Sequence, residues 1–321
     1  MTRLGLLAVL LFASAAYGEE LHGTSVAAGP ARACSVEVVK KGLVSPRWIL
    51  ANDAGEVYVV DTFPRMKGEV WEHVTTVDAL VGKPRRITLS GEVFDAALYD
   101  HTLVVVDHDG DGEVAKVDLR TGVRKRLGGK AQGVVRVDDH VVAARVGPTR
   151  VEVETADGSP VAGLDGSWSK GPVDMAYAAG RLYFYVSPKR GPTAETLKAT
   201  LVSVVGGQTN VVGQVHIGTA LAASAGYVFV GSLTKLLRIA VGGAIESAPF
   251  DGAEMLVSDD KAAAYTNAEL GTITLWPHDG APYRACSGID SPVGVALTRS
   301  HVYFTAWGKD GKHGWVGRFK R

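Results

Sequence analysis

Short apolar runs alternate with polar turns along the chain, and one such unit recurs seven times. Each unit has a short apolar stretch, a polar turn, and then a run of β-branched or aromatic residues. The second runs begin at positions 57, 103, 141, 182, 228, 262 and 302, at intervals of 46, 38, 41, 46, 34 and 40 residues. The segments have strand length and are bounded by Gly, Asp, Asn and Pro, so the pattern predicts strands rather than helices.

A repeat of about 40 to 50 residues is typical of the four-stranded blades of β-propellers. We therefore predict an all-β fold, a seven-bladed β-propeller built from four-stranded antiparallel blades. The first apolar stretch of each unit is predicted to be the inner strand, because its Ala and Gly residues suit the crowding at the axis. A two-domain β-sandwich is the main alternative, and the regular spacing disfavours it.

The two ends of the chain are predicted to share the last blade. After 302–307 the sequence offers only one further strand, at 314–320, so blade seven lacks an outer strand. Residues 34–40 can supply that strand and close the ring, because an unpaired edge would expose backbone donors and acceptors. The propeller is thus predicted to occupy residues 34–321, after an N-terminal linker at 19–33.

Residues 1–18 are interpreted as a secretory signal peptide. Arg3 supplies a positive start, and the apolar run at 4–16 is too short for a standard membrane span. Residues 16–18 (AYG) place small side chains at the positions expected before a cleavage site. An uncleaved anchor is the alternative. No later segment is long and apolar enough to span a membrane, so we expect a secreted or periplasmic protein.

The charges of the chain balance, with 34 basic and 34 acidic residues. A nucleic-acid binder needs a basic surplus, so this balance disfavours that class of protein. A hydrophobic fraction of 46% indicates a folded globular chain rather than a disordered one. We expect a monomer that binds a protein or a small ligand.

The two cysteines, Cys34 and Cys286, each lie in the tetrapeptide Arg-Ala-Cys-Ser. In an oxidising compartment two cysteines indicate one disulfide bond, although two buried free thiols are the alternative. The predicted topology puts Cys34 on the outer strand of blade seven and Cys286 on the outer strand of blade six. A bond between them would lock the closure of the ring.

The last repeat unit carries three short motifs, at 291–297 (SPVGVAL), 301–305 (HVYFT) and 314–318 (GWVGR). This pattern resembles a blade of secreted bacterial seven-bladed propellers with NHL-like, YVTN-like or virginiamycin B lyase-like repeats. As a repeat, the resemblance extends over nearly all of the mature chain. It implies the fold, but such propellers include both enzymes and binding proteins, so it implies no particular activity.

Counting eight positions back from each second run aligns the starts of the inner strands. The aligned position holds Asp95, Asp174 and Glu254 in blades two, four and six, and Trp48 or Ile49 stands there in blade one. Three carboxylates would then ring the mouth of the axial channel, where they could bind a hard cation or a cationic ligand. Alternatively, these acids bond to neighbouring backbone amides or to water in the channel.

The sharpest local motif is DHDGDGE, which begins at residue 107. Acids at loop positions 1, 3 and 5 with Gly at position 6 are typical of a calcium loop, and calcium is the cofactor we consider. The candidate metal ligands are Asp107, Asp109, Asp111 and Glu113. Asp118 occupies position 12, where Glu is usual, and an ordinary Asp/Gly-rich hairpin turn is the alternative.

Two classes of function remain. The first is a non-catalytic binding or scaffold propeller that holds a ligand or partner on the channel-mouth face. The second is a metal-dependent lyase or lactonase resembling the virginiamycin B lyase-like propellers, with a metal on the channel carboxylates that polarises an ester. That enzyme needs a base, for which His216 near the start of blade five is the candidate. The predicted channel-mouth residues are Trp48, Asp95, Asp174, Glu254 and His216. His216 lies in no recognisable catalytic motif, so we favour binding and assign no catalytic residue.

Overall fold

The computed structural model describes most of the chain beyond the predicted signal peptide. It covers residues 20–67, 70–81, 85–107, 112–155, 158–169, 173–188, 198–216, 220–232, 234–241, 243–250, 252, 255–308 and 313–321. The predicted signal peptide at 1–18 lies outside these ranges. Every regular element in these ranges is a β-strand, and they contain no apolar helix of membrane-spanning length.

After two strands that stand apart, the strands follow the chain in six groups of four and a last group of three. The first two are β1 (Thr24–Ser25) and β2 (Glu37–Leu43). Blade one contains β3 (Pro46–Ala51), β4 (Val57–Lys67), β5 (Val70–Ala79) and β6 (Arg86–Ser90). Blade two contains β7 (Val93–Tyr99), β8 (Thr102–Asp107), β9 (Glu113–Asp118) and β10 (Arg124–Lys130). Blade three contains β11 (Gly133–Val137), β12 (His140–Val146), β13 (Arg150–Thr155) and β14 (Pro160–Asp165).

The remaining blades repeat this arrangement. Blade four contains β15 (Met175–Ala178), β16 (Arg181–Val186), β17 (Lys198–Val205) and β18 (Gln208–His216). Blade five contains β19 (Ala220–Ala223), β20 (Tyr227–Gly231), β21 (Lys235–Ala240) and β22 (Ile245–Pro249). Blade six contains β23 (Met255–Ser258), β24 (Ala262–Asn267), β25 (Thr272–Pro277) and β26 (Tyr283–Ser287). Blade seven contains β27 (Pro292–Leu297), β28 (His301–Ala306) and β29 (Gly314–Lys320), and it is completed by β2.

Each blade is an antiparallel sheet that runs from an inner strand at the axis to an outer strand at the rim. Neighbouring inner strands contact each other in turn around the ring, including β27 with β3. The predicted seven-bladed β-propeller is therefore confirmed. The second strands begin within one residue of the predicted positions, at Val57, Thr102, His140, Arg181, Tyr227, Ala262 and His301.

The ring is closed by strand β2, which pairs antiparallel with β29 in blade seven. The guanidinium of Arg318 on β29 donates to both carboxylate oxygens of Glu37 on β2, at 2.9 and 2.8 Å. At the other end of the pairing, Leu43 is buried in the core shared by blades seven and one. The predicted closure of the last blade by an N-terminal strand is confirmed.

Residues 20–36, which we call the belt, run along the rim of blades four, five and six before they reach β2. The N–H of Leu21 donates to Gln214 O at 2.8 Å, and that of Gly29 donates to Pro282 O at 2.7 Å. Between these contacts, β1 pairs in parallel with β22 and forms a fifth strand of blade five. Residues 20–33 are therefore part of the propeller rim rather than the predicted linker.

The belt is fastened by a disulfide bond between Cys34 and Cys286, whose Cα atoms are 5.2 Å apart. The predicted disulfide is therefore confirmed. Cys286 lies on β26, the outer strand of blade six, as expected, whereas Cys34 lies three residues before β2 rather than on it. A disulfide of this kind is typical of proteins outside the reducing cytoplasm.

A buried arginine joins blades five and six. Arg238 on β21 is only 6% exposed. Its Nη1 atom donates to the carbonyl oxygens of His278 at 3.1 Å and Gly280 at 3.2 Å, and also to that of Pro277. Its Nε atom donates to Glu246 Oε2 at 2.6 Å. One side chain therefore satisfies three carbonyl groups of the neighbouring blade.

We expect the double substitution Cys34→Ser with Cys286→Ser to lower the free energy of unfolding by about 2 to 5 kcal/mol. The bond joins residues 252 positions apart, so its loss enlarges the conformational freedom of the unfolded chain. Urea unfolding of both proteins measures the effect. Wild-type protein in reductant is the control and should unfold at the same urea concentration as the double variant. Equal stability of the oxidised wild type and the double variant would contradict the prediction.

We expect Arg238→Met to lower the free energy of unfolding by about 3 kcal/mol, because buried carbonyl groups lose their donor. The matched control is Arg126→Met, at a side chain that is 72% exposed. Its effect should stay within about 0.5 kcal/mol. Urea unfolding again provides the measurement. Similar losses in the two variants would mean that contacts between the blades do not depend on Arg238.

Candidate functional site

A cavity of about 620 Å³ follows the axis of the propeller. The inner strands of all seven blades form its wall. Alanines such as Ala96, Ala176, Ala222 and Ala296 line it, and their short side chains leave the centre open. The volume lies in the range of about 300 to 1,000 Å³ that is typical of small-molecule sites.

Two of the aligned strand starts hold glycine because a neighbouring backbone leaves no room for a side chain. A Cβ atom at Gly133 would overlap the carbonyl oxygen of Val173, and one at Gly294 would lie 2.6 Å from Arg47 O. These contacts join blade three to blade four and blade seven to blade one. The blades therefore approach each other closely at the ends of the inner strands where carboxylates were predicted.

Asp95 lies at this end and lines the cavity. Its Oδ1 atom accepts from the N–H of Ala96 at 2.8 Å, and its Oδ2 atom accepts from the N–H of Val134 in blade three, also at 2.8 Å. Burial raises the pKa of Asp95 to about 7, and the charge of Asp174 adds to this rise, while the two amides oppose it. Asp95 therefore makes the backbone bonds foreseen as the alternative and also borders the cavity.

Asp174 lines the same cavity, on the inner edge of blade four. Its Oδ2 atom accepts a hydrogen bond from the hydroxyl of Tyr185. Burial raises the pKa of Asp174, although the tyrosine bond works in the opposite direction. Asp95 and Asp174 form one acidic end of the cavity, which we call the strand-start end.

A second set of carboxylates lies where the inner strands finish, and we call this the strand-end end. Its members are Asp53, Asp138 and Asp259. Arg136 Nη2 donates to Asp53 Oδ2 at 2.7 Å, and so links blade three to blade one. The Tyr177 hydroxyl donates to Asp138 at 2.7 Å, and Arg321 binds Asp259 at 3.0 Å. This end therefore combines three carboxylates with two guanidinium groups.

The strand-end carboxylates were missed in the sequence reasoning, although a signal for them exists. Asp138 and Asp259 stand five residues after the aligned strand starts at 133 and 254, and Asp53 stands five residues after Trp48. At the rise of a β-strand, five residues span about 16 Å. A search for acids at a fixed offset from the repeat would have found a second acidic level in the channel.

The other predicted channel residues differ in their positions. Trp48 lines the cavity, and its buried indole N–H has no hydrogen-bond partner among the described residues. Glu254 lies outside the described residues. His216 ends β18 at the rim of blade four, where its Nε2 atom is 3.2 Å from Glu20 Oε1. His216 therefore lies at the rim rather than at the predicted channel mouth, because β18 is the outer strand of blade four.

The lyase or lactonase hypothesis needs a base beside the channel carboxylates, and His216 was the candidate for that base. A histidine on the rim does not meet that requirement. Within the described ranges, no group of three or more His, Cys, Asp or Glu side chains is arranged to hold a metal ion.

The proposed calcium loop is only partly described. Asp107 Oδ2 lies 3.1 Å from Arg124 Nη2, and Glu113 Oε1 lies 3.3 Å from Arg126 Nε. Both carboxylates at the ends of the loop therefore have an arginine partner. Asp109 and Asp111 lie outside the described residues, so calcium binding remains a prediction.

Asp118 does not belong to this loop. In the pairing of β8 with β9, Asp107 is opposite Glu113, whereas Asp118 is opposite Thr102 at the far end of the two strands. The carboxylate of Asp118 instead accepts the N–H of Arg120 at 2.7 Å in the next turn. A twelfth ligand position from Asp118 is therefore excluded.

Comparisons with known proteins show the fold. No family model matches the chain, and no curated protein matches it either. BamB from Moraxella catarrhalis has 11% sequence identity and a TM-score of 0.53, and the match covers 89% of this chain and 98% of that one. The β-propeller domain of the Trilobed protease from Pyrococcus furiosus has 10% identity and a TM-score of 0.60, with 85% and 94% covered.

A gluconolactonase from Xanthomonas campestris has 14% identity over 87% of this chain and 98% of that one, but its TM-score of 0.48 is too low to carry an argument. At such identities the matches establish the β-propeller fold alone. The fold and the site thus define a seven-bladed β-propeller with an acidic axial cavity.

The raised pKa of Asp95 predicts a specific pH dependence of stability. Its value in the folded protein, about 7, exceeds the ordinary value of 3.8 that applies to the unfolded chain. Between these values only the unfolded chain loses the proton, so the wild type loses stability as pH rises from about 4 to about 7. The total change is at most about 4 kcal/mol.

Urea unfolding of the wild type and of Asp95→Asn across this pH range measures the effect. Asparagine does not titrate, so the stability difference between the two proteins should shift in favour of the variant as pH rises. The test depends on how this stability difference changes with pH. The variant also loses an acceptor for one backbone amide, but that loss lowers its free energy of unfolding by an amount that does not depend on pH. A difference that stays constant from about pH 4 to about pH 7 would contradict the raised pKa.

Proposed function

We propose that the protein is a secreted or periplasmic, non-catalytic binding propeller whose axial cavity holds a small organic cation. The observation that carries this proposal is the charge of the cavity wall. Its described lining residues include five aspartates and one arginine. A cavity with this excess of carboxyl groups attracts positive charge and repels anions.

The two ends of the cavity differ in how far their acids are already neutralised. At the strand-end end, Arg136 binds Asp53 and Arg321 binds Asp259, so Asp138 contributes the remaining negative charge. At the strand-start end, Asp95 and Asp174 have no described cationic partner, and burial disfavours their ionised forms. A bound cation would supply the missing partner and stabilise the ionised carboxylates. Binding would then release protons near neutral pH.

The expected ligand carries more than one positive charge and an aliphatic body. Charged groups at both ends favour a cation that reaches toward each of them. Between the ends the wall contains Ala, Val and Leu side chains, which suit a chain of methylene groups. The predicted signal peptide and the disulfide bond support a location outside the cytoplasm.

Titration calorimetry with spermidine tests the proposal, since this linear triamine is a probe of the expected class. We expect saturable binding that tightens as pH rises from about 6 to about 8, because Asp95 must ionise. Asp95→Asn and Asp174→Asn should each weaken binding roughly tenfold, which corresponds to the loss of one charged hydrogen bond.

Two controls separate charge recognition from unspecific binding. Octanediol matches spermidine in length without its charge, and it should not bind. Asp165→Asn removes a carboxylate on the rim of blade three that is 83% exposed, and it should leave the affinity unchanged. Absence of spermidine binding, or equal binding of octanediol, would refute the proposal.

A further inference from the structure

A second cavity lies at the rim between blades six and seven, separate from the axial cavity. Its volume is about 500 Å³. Strand β26 and strand β29 form two of its walls, and belt residues 32–35 form a third. We call it the seam groove and define it by Arg32, Cys34, Tyr283, Arg318, Phe319 and Lys320.

The seam groove is rich in positive charge, but part of that charge is already compensated. Among its described lining residues, Arg318 binds the carboxylate of Glu37 at 2.8 Å and donates to the hydroxyl of Tyr303 at 3.0 Å. Arg321 binds Asp259 at 3.0 Å. These two guanidinium groups therefore have acidic partners within the protein.

Two further cations of the seam groove have no acidic partner among the described residues. They are Arg32 and Lys320, and both are exposed to solvent. The guanidinium of Arg32 lies over the ring of Tyr283, 4.0 Å from its centroid. A guanidinium that stacks on a ring through its flat face keeps its N–H edge available for a planar or tetrahedral oxyanion.

The walls of the seam groove also include apolar surface. Phe319, Ala285 and Leu275 are at most 5% exposed, because they pack in the core between blades six and seven. The accessible apolar surface therefore includes the half-buried ring of Tyr283, which lies beside Arg32. Cations beside aromatic and aliphatic groups suit a ligand that has both an anionic head and an apolar body.

We propose that the seam groove binds an organic anion that carries a carboxylate or phosphate group next to an apolar body. The oxyanion lies between Arg32 and Lys320, and the body packs beside the ring of Tyr283. This site is independent of the axial cavity, and it selects the opposite charge.

The position of Arg32 depends on the belt, so the site also depends on the disulfide. The N–H of Arg32 donates to the carbonyl oxygen of Arg284 at 2.9 Å. Two residues further on, Cys34 is bonded to Cys286. Both links hold Arg32 against blade six in the unbound protein, which reduces the entropy lost on binding.

Fluorescence titration with anilinonaphthalene sulfonate tests the proposal, because this probe combines a sulfonate with an apolar aromatic body. At low ionic strength we expect saturable binding to the oxidised protein. Arg32→Gln and Lys320→Gln should each weaken it roughly tenfold, and the two together roughly a hundredfold. The matched control is Lys235→Gln, which removes an exposed charge on blade five outside the groove and should change nothing.

Competition identifies the head group. Benzoate and phenyl phosphate should both displace the probe, and the stronger competitor shows whether the site prefers a carboxylate or a phosphate. Benzyl alcohol has the same ring without the charge, and it should not compete. Reduction of the disulfide should weaken binding of the probe. It should do so equally in the wild type and in the Lys235→Gln variant.

Unchanged affinity in the Arg32→Gln, Lys320→Gln double variant would overturn the proposal, as would displacement by benzyl alcohol equal to that by benzoate. Arg32 is itself a belt residue, so Lys320→Gln provides a separate test at the end of β29, outside the belt. Urea unfolding of each variant confirms that the protein compared is folded. A folded Lys320→Gln variant with wild-type affinity would equally contradict the proposal.

Discussion

The closure of the ring is the constraint on which the whole molecule depends. Seven sheets form a closed ring around an axis only if the last blade packs against the first, as β27 does against β3. Here the outer strand of blade seven is β2, which comes from the opposite end of the propeller sequence and pairs with β29. An unpaired β29 would present a row of backbone donors and acceptors to solvent. The pairing of β2 with β29 satisfies these groups, and the disulfide holds the segment that delivers β2.

The same closure produces the site at the axis. Once the ring is complete, the inner strands converge, and close contacts such as that of Gly133 with Val173 exclude larger side chains. Alanine and glycine then leave a central space, and a polar side chain in this layer has few neighbours except the next blade. Asp95 follows this logic, because it bonds to the N–H of Val134 in blade three and borders the cavity at the same time. Asp95 therefore both joins blade two to blade three and contributes a carboxyl group to the cavity wall.

Periodicity explains which features could be predicted from the sequence. The second strands are apolar, strand-length and repeated, so their positions were predicted within one residue, and the need to complete the last blade indicated β2. The belt has no such pattern, because Leu21 and Gly29 pair through backbone N–H groups that every residue except proline has. His216 was misplaced since proximity along the chain to β19 does not specify whether a residue lies at the axis or at the rim. The clamp made by Arg238 depends on three carbonyl groups in another blade, which no local pattern reveals.

The belt also has a consequence for the order of events during synthesis. Residues 20–36 leave the ribosome well before the strands that receive them, which extend from β18 to β26. The belt therefore has no docking surface until those strands have been made, and contacts of such long sequence separation slow folding. A product truncated before β26 has no Cys286, so its belt cannot be fastened by the disulfide bond.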